Sequence, residues 1–549
     1  MSLTAAENAR HKPTEMALAD ERVTLTWAEL DATLNRATNG LLARHWDEAR
    51  ALAAFTSSSP EGLLAELWGF RATAIACQRR HPGRIAVFAP NSVEGVIAYL
   101  SALQAGVSSV PVNFHLTAEE VAYILRDSGA DTLFVGPETA DVGLAAASKA
   151  KVGTVIGWRC DDRPGLTCWT EWLAAAADSE PPTDMSPRPH LHYTSGTTGR
   201  PKGAETPPTM FPAERSVARL FAQLRAQMEE LGDRTPGMVV SPLYHTGPLA
   251  SVRSLAGGNA LVILSRFDAE QVLQTIERFR VKSTMMVPTH FQRLLALPEE
   301  VRRRYDVTSL VVVSHTGAAC PPEVKRAMIE WFGPVLNEAY GATESGSTNL
   351  ITSEEWLRKP GSVGKTQPPF EAVVVSEDGH RLGPNEVGQL YFRDTTGRGI
   401  VYHNDAAKTQ EAHLEPGVFT LGEVGYVDDD GYVFITDRVT DMIVSGGVNI
   451  YPAEVEQVLV EHPEVADVAV IGAPNAEMGE EVKALVVARS PTRPPGPDAL
   501  DQFCRARLAG FKCPRSYEFV TDLGRNAMGK ISKRELRRRY WPTERTIGG

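Results

Sequence analysis

Apolar residues recur along this chain in two periods, and their alternation predicts its architecture. Short apolar runs at Ile85–Phe88, Leu133–Val135, Leu261–Leu264, Met285–Val287 and Leu310–Val313 have strand length. Amphipathic stretches of helical period separate them, so the pattern is that of an α/β protein. One helix start is marked by Thr117 and Glu120, spaced as a capping box, followed by the apolar set Val121, Ile124 and Leu125. Residues 179–189 are proline-rich and lead into a glycine-rich stretch, as expected for an irregular approach to a site held on a rigid scaffold.

After Gly431 the pattern changes. Tyr432–Ile435 reads as a strand and residues 437–441 as a polar connection. A second, smaller α+β domain is expected beyond it. It opens with Pro452 at the first position of a helix whose apolar face is Val455, Val458 and Leu459, and which stops before Pro463. Strands follow at Val465–Ile471 and Val482–Val487, then a Pro/Gly break at 494–497 and a further helix. The domain boundary is placed in that connection, leaving 1–437 and 441–549 on either side of 438–440.

Composition narrows the function. The 549 residues, 43% hydrophobic, suffice for more than one core. A net charge of -12 argues against a sequence-independent nucleic-acid binder, which needs basic surface to release phosphate counterions. Six cysteines, at 77, 160, 168, 320, 504 and 513, form no Cys-x-x-Cys pair and no regular framework. That usage, with no basic-then-apolar leader and no apolar run long enough to span a bilayer, leads us to expect a soluble cytoplasmic protein without a membrane partner.

The candidate chemistry begins at Tyr193-Thr-Ser-Gly-Thr-Thr-Gly-Arg-Pro-Lys-Gly203, which packs three glycines, four hydroxyl side chains and a lysine into eleven positions. Glycines let backbone N–H groups approach an anion, hydroxyls add donors, and Lys202 brings a mobile positive charge. The spacing is not that of a Walker A loop. Taken alone, such a stretch is more often a plain surface turn than a phosphate cradle. Downstream come Tyr340-Gly-Ala-Thr-Glu-Ser-Gly346, Phe419-Thr-Leu-Gly-Glu-Val-Gly-Tyr426, Asp437-Arg438, Ser445-Gly-Gly447 and Gly529-Lys530.

In order and spacing these motifs resemble those of the adenylate-forming superfamily, which contains acyl-CoA synthetases, peptide-synthetase adenylation domains and luciferases. The resemblance covers nearly the whole chain. Residues 315–325 and 445–452 look most like bacterial acyl-CoA ligases for bile acids, steroid side chains and other bulky acids. A carboxylate does not react with a thiol at neutral pH, and the resemblance implies how it is activated. The acid attacks the α-phosphate of ATP to give acyl-AMP and pyrophosphate, and the thiolate of coenzyme A then displaces AMP. Mg²⁺ and lysines are expected to offset the approach of two anions.

Residue by residue, the resemblance implies that Thr194, Ser195, Gly196, Thr197, Thr198, Gly199 and Lys202 hold the β and γ phosphates. Thr343 and Glu344 would hold the α-phosphate and Mg²⁺. Tyr340 would stack on adenine against the Gly317, Ala318 and Ala319 backbone, with Glu338 and Gly341 completing the nucleotide site. Glu423 and Arg438 would contact the ribose. Lys530 would bridge acid and α-phosphate in the first half-reaction. Thr440 would be the hinge for a rotation that brings Ser445, Gly446 and Gly447 in to line a pantetheine tunnel. Tyr244, His245 and Thr316 would border the acyl pocket. Without the other motifs, residues 340–346 read equally as a solvated strand-to-loop turn, and residues 530–539 as a basic terminal helix.

Three departures from the family are visible. Glu423 stands where relatives carry aspartate, and the extra methylene displaces a carboxylate that must reach the ribose. Glu205 stands just past the phosphate loop, where relatives tend to carry a basic residue, and a carboxylate facing a triphosphate would repel it. Residues 43–80 are longer than the family's link and carry Trp68 and Phe70; an added helical hairpin, a dimer contact and a substrate-entrance wall all fit them. The leading expectation is an acid:CoA ligase for a bulky, largely apolar acid. The alternatives are a thioesterification enzyme supplied with acyl-AMP by a separate adenylating partner, a ligase for a separate carrier protein, and a non-catalytic nucleotide binder. The sequence leaves the oligomeric state open, a homodimer being the commonest closed assembly.

Overall fold

Branched and aromatic residues at strand spacing build two sheets in the first of two compact units, which comprises Met1–Phe114, Ala118–His192 and Phe211–Arg266. The computed structural model describes residues 3–55, 83–160, 163–194, 201–212, 214–317, 320, 322–376, 378–438, 443–450, 452–490, 492–524 and 533–541. Five parallel strands run in the order Ser108–Pro111, Arg84–Phe88, Ala130–Val135, Thr154–Gly157, Thr167–Cys168. A second set places Gly237–Val239, Leu261–Ile263 and Met16–Ala19 parallel, with Thr24–Thr26 antiparallel at its edge. Helix Val93–Gln104, capped by Ser92 accepting from the Gly95 N–H, is buried on all sides. It shares one core with residues of both sheets, which explains why its sequence is apolar all round rather than striped.

The second unit holds His115–Thr117, Tyr193–Met210 and everything from Phe267 onward. Parallel strands Ser283–Met286, Val312–His315 and Leu336–Ala342 pass into an antiparallel run of Gly346–Thr352, Ser362–Thr366, Tyr432–Arg438, Glu423–Val427 and Gly388–Asp394. A separate five-stranded sheet joins Val448–Ile450, Ile443–Ser445, Gly479–Ala488, Val465–Asn475 and Ser516–Phe519. It has its own core, formed with Val455 and Leu459 of helix Pro452–Val460 and Leu500 and Cys504 of helix Pro497–Arg505. The fold is therefore α/β, with a large N-terminal part and a small C-terminal sheet. Sheet membership changes between Arg438 and Ile443.

Several expected boundaries shift, two of them through pairing with distant residues. Leu310 and Val311 stay outside the strand, which begins at Val312; the Val311 and Val312 N–H groups both donate to the Lys282 carbonyl, so the chain bends there before the ladder starts. The strand expected to stop at Ile435 continues to Arg438, since its partner keeps offering ladder positions: Asp437 lies opposite Val424 and Arg438 opposite Glu423. Cross-strand pairing here outweighs the polar side chains that suggested a connection. Thr440 and most of the residues 43–80, including Trp68 and Phe70, lie outside the described residues; helix Trp27–Phe55 enters that stretch. No helix among the described residues is long and apolar enough to cross a membrane.

Candidate active site

The site grows from one tight turn. Strand Leu336–Ala342 doubles back into Gly346–Thr352, and a Cβ on Gly341 would sit 2.0 Å from the Gly346 carbonyl oxygen. Gly346 itself has φ +74, a conformation open to glycine at little cost. The Ser345 hydroxyl accepts from the Ala342 N–H and donates to the Gly346 carbonyl. Thr343 and Glu344 are thereby fixed at the tip. Glu344 is buried, and its carboxylate accepts from the Thr194 hydroxyl at 3.2 Å and from Tyr402. Burial pushes its pKa above the usual carboxylate range, against the opposing effect of these hydrogen bonds.

Thr194 ends the strand Leu191–Thr194, and Lys202 opens Lys202–Glu205 on the far side of the glycine loop. Backbone bonds from Glu205 N–H to the Val401 carbonyl and from His403 N–H to the Gly203 carbonyl stitch that strand to residues 401–403. The seam carries Tyr402 to Glu344 and sets Asp405 Oδ2 3.8 Å from Lys202 Nζ. Asp405 also caps helix Ala406–Glu411 by accepting from the Lys408 N–H. An open cleft of about 580 Å³ borders the seam and is lined in part by Arg398, Tyr402 and Asp405. Sequence reasoning missed Tyr402 and Asp405. Their one visible signal was the aspartate cap preceding a helix.

Glu205 does not face the same way as Lys202. Side chains alternate along a strand, so Lys202 and Ala204 share one face while Gly203 and Glu205 share the other. The Glu205 carboxylate is 3.5 Å from Arg398 Nη2 and 3.9 Å from His403 Nδ1. The register turns Glu205 to the opposite face of the strand from Lys202 and onto Arg398. Glu205→Gln should therefore change the KM for ATP by less than about threefold, as for an exposed ion pair, in a steady-state pyrophosphate assay.

Tyr340 and Glu423 meet directly. The Tyr340 hydroxyl donates to Glu423 Oε2 at 2.8 Å, and the ring packs near Phe392 with centroids 6.0 Å apart. The extra methylene of Glu423 thus has a use inside the fold, since it reaches the tyrosine. Glu338, on the same strand as Tyr340, is engaged by Lys325 Nζ at 2.5 Å, with His315 Nε2 at 3.7 Å. Lys325 has no exposed side-chain surface and lies over the Trp356 ring at 4.7 Å. Burial raises the Glu338 pKa and lowers that of Lys325, and their contact opposes both shifts. Lys325→Ala leaves the Glu338 carboxylate buried without its ammonium partner and should cost about 3 to 5 kcal/mol, read by chemical denaturation.

The remaining residues fall in separate places. Thr316 and Gly317, the latter at φ +86, follow strand Val312–His315, with the Thr316 N–H donating to the Met286 carbonyl. Ser445, Gly446 and Gly447 belong to the small sheet, where Ile443–Ser445 and Val448–Ile450 pair around a two-residue turn. Both glycines have positive φ, as a type I′ hairpin turn demands, so the turn itself explains them before any tunnel does. A Cβ on Gly447 would lie 3.3 Å from Val287 Cγ2. Tyr244 and His245 lie in the first unit with ring centroids 4.4 Å apart, and burial lowers the His245 pKa to about 4. Arg438 is described by its backbone, opposite Glu423. Ser195, Gly196, Thr197, Thr198, Gly199, Ala318, Ala319 and Lys530 lie outside the described residues.

Comparison with known proteins agrees with this geometry. The AMP-binding enzyme family model matches residues 77–399, and that of the AMP-binding enzyme C-terminal domain matches 454–530. The chain is 31% identical to the fatty acid–acyl-carrier-protein ligase ScoC of Streptomyces coeruleorubidus, over 98% of this chain and 96% of that protein. It is 34% identical to a 7a-methyl-1,5-dioxo-octahydro-inden-4-yl propanoyl:CoA ligase of Rhodococcus jostii, over 85% and 91% of the two chains. Among solved structures it resembles the amide bond synthetase McbA of Marinactinospora thermotolerans, with a TM-score of 0.77, 25% identity, and coverage of 98% and 99%. By these matches over most of its length, the chain belongs to the AMP-binding enzyme family of adenylate-forming ligases.

Proposed function

We propose that this protein joins a bulky, largely apolar carboxylic acid to coenzyme A through an acyl-AMP intermediate. The observation that carries the reading is the buried Glu344 carboxylate, tied to Thr194 at the mouth of the glycine loop whose far end is Lys202. In the first half-reaction the acid's oxygen attacks the α-phosphorus of ATP and the bond to pyrophosphate breaks. Lys202 steadies the departing phosphates, and Thr343 with Glu344 orients the α-phosphate. Lys530 approaches from the small domain to offset the charge of the incoming carboxylate. In the second half-reaction the thiolate attacks the acyl carbon and AMP leaves.

Mg²⁺, when bound, would offset the phosphate charge and polarise the reacting phosphorus. The donor set fits that ion. Glu344 and the Thr194 hydroxyl are hard oxygen donors, and no cluster of three or more acidic, histidine or cysteine side chains occurs among the described residues. A cation here would therefore keep waters and share phosphate oxygens, which suits Mg²⁺. Glu423 would receive the ribose and Tyr340 the adenine. The change of sheet between Arg438 and Ile443 supports a hinge at 438–440, Thr440 included, between domains 1–437 and 441–549. Rotation there would exchange Lys530 for the Ser445–Gly447 turn, and the nearness of Gly447 to Val287 supports a thiol path beside that turn.

The scaffold of the Rhodococcus relative's acid supports a bulky substrate, and the acceptor is taken as coenzyme A. ScoC, matched along almost the whole chain, supports a carrier-protein pantetheine as the second reading. The test is acid-dependent pyrophosphate release with a polycyclic propanoic acid, followed by addition of either coenzyme A or a holo carrier protein. Release that requires the acid, and a thioester with coenzyme A, support the first reading; a thioester with the carrier alone supports the second. Nucleotide binding without acid-dependent release contradicts both.

A further inference from the structure

Two loosely held ion pairs border one cleft of the second unit. Lys202 Nζ stands 3.8 Å from Asp405 Oδ2, and Arg398 Nη2 stands 3.5 Å from Glu205 Oε2, both longer than an ordinary N–H···O hydrogen bond. Asp405 and Arg398, one member of each pair, both line the open cleft of about 580 Å³, as do Tyr402, Asn404 and Gln410. Closer pairing occurs in the same place. Lys408, on the helix that Asp405 caps, meets Glu411 at 2.8 Å. Arg398 also donates to the Gly399 carbonyl at 3.2 Å, which fixes where its guanidinium sits, while its partner Glu205 is exposed. Exposed pairs of this kind are weak, so a polyanion entering the cleft can take the place of the carboxylate.

The cleft adjoins the phosphate end of the site at two residues. Tyr402 lines it and hydrogen-bonds to the buried Glu344 carboxylate, and Asp405 lines it and faces Lys202. In adenylation the acid's oxygen bonds to the α-phosphorus, the bond from that phosphorus to its bridging oxygen breaks, and the oxygen leaves with its electron pair on pyrophosphate. Pyrophosphate must then move away from Lys202 while acyl-AMP stays. Asp405 is the one carboxylate lining the cleft. Its charge is offset by Lys202 and by the Lys408 N–H, which donates to Asp405 Oδ1 at 2.9 Å. Lys202 therefore keeps a counter-charge once the phosphates have gone, and Arg398 is the next cation along the cleft.

We propose that this cleft is a binding site for the pyrophosphate product, in which Arg398 exchanges the Glu205 carboxylate for a phosphate oxygen. A guanidinium presents a planar fork of donors that matches phosphate oxygens, and the amide side chains of Asn404 and Gln410 border the cleft as further donors. This rests on the ligase reading above, and it concerns release of the first product rather than the bond-making step. It also gives a use to the carboxylate at position 205. Glu205 holds Arg398 beside the cleft between turnovers and yields it when the stronger anion arrives.

The test titrates Mg-pyrophosphate calorimetrically into full-length wild type, Arg398→Gln and Glu205→Gln, with and without saturating AMP, and titrates Mg-ATP in parallel. Arg398→Gln should weaken pyrophosphate by about tenfold, as for a hydrogen bond to a charged group, and change ATP by less than about threefold. Glu205→Gln removes the competing carboxylate and should tighten pyrophosphate by about two- to threefold. Opposite signs from the two members of one pair are not produced by a structural role. If the pair only fastens strand Lys202–Glu205 to its neighbours, both substitutions weaken pyrophosphate and ATP alike, which overturns the proposal. Unchanged pyrophosphate affinity in either variant, or no pyrophosphate binding by the wild type, overturns it as well. Should Arg398→Gln not fold, Arg398→Lys takes its place, with a smaller loss expected. Acid-dependent exchange of label between pyrophosphate and ATP reads the ligase reaction separately. Its absence would remove the ligase reading, and the cleft would still be decided by the titrations.

Discussion

Glu344→Gln should lower acid-dependent pyrophosphate release by about 100- to 1000-fold while leaving the protein at least as stable as the parent. The two halves of that result have one cause. Glutamine keeps the shape of the side chain, with one amide oxygen to accept from a hydroxyl and an NH2 that can donate to the other once that hydroxyl rotates, so packing around the turn is preserved. What disappears is a negative charge that burial already disfavours, as its raised pKa records. Removing it relieves a desolvation cost, so the melting temperature holds or rises. Catalysis loses the charge that would meet the cation and orient the α-phosphate, and single pre-organised electrostatic contacts are worth this much. The parent should also show an acid limb lying above the usual carboxylate range, because Glu344 acts once it has lost its proton. In Glu344→Gln that limb should vanish. A variant that loses activity only in proportion to lost folded protein would refute a direct role.

Gly341→Ala should destabilise the protein by about 3 kcal/mol and also reduce adenylation by about 100-fold. The added Cβ would lie 2.0 Å from the Gly346 carbonyl oxygen, and the obstacle is backbone rather than the end of a flexible side chain. The turn must open to admit it. Thr343 and Glu344 ride on that turn, so they move by about an ångström, a displacement large enough to cost two orders of magnitude in a positioned reaction. Gly153→Ala is the control, because a Cβ there meets nothing within 4 Å. It should leave both stability and rate close to the parent's. Denaturant midpoints and pyrophosphate rates on the same preparations separate the two effects. Full activity in folded Gly341→Ala would mean that the turn does not set the position of Glu344.

The sequence made legible what local pattern governs. Strands such as Arg84–Phe88 and Ala130–Val135 follow from runs of branched residues. The small domain's helix Pro452–Val460 follows from its proline start and its apolar stripe. Motif resemblance brought Thr194, Lys202, Tyr340, Glu344 and Glu423 into one unit of the fold. The unread part depends on pairing between segments far apart in the chain. The seam between residues 203–205 and 401–403 turns Glu205 toward Arg398, and no local pattern encodes that register. The strand running on to Arg438 is likewise set by its partner, Glu423–Val427. Lys325 gave no signal because a lysine in a helical stretch normally reads as solvated; only tertiary packing buries it against Glu338 and Trp356.

The central claim is that one chain performs both adenylation and thioester formation. It is tested most directly by following acyl-CoA formation by mass spectrometry from a bulky acid supplied in two forms. One is the free acid with Mg-ATP and coenzyme A, and the other is the synthetic acyl-AMP with coenzyme A. The same thioester is expected from both inputs, with the free-acid route lowered by about 100- to 1000-fold in Glu344→Gln. Product from acyl-AMP alone would contradict it and would make the protein a thioesterification enzyme dependent on an adenylating partner.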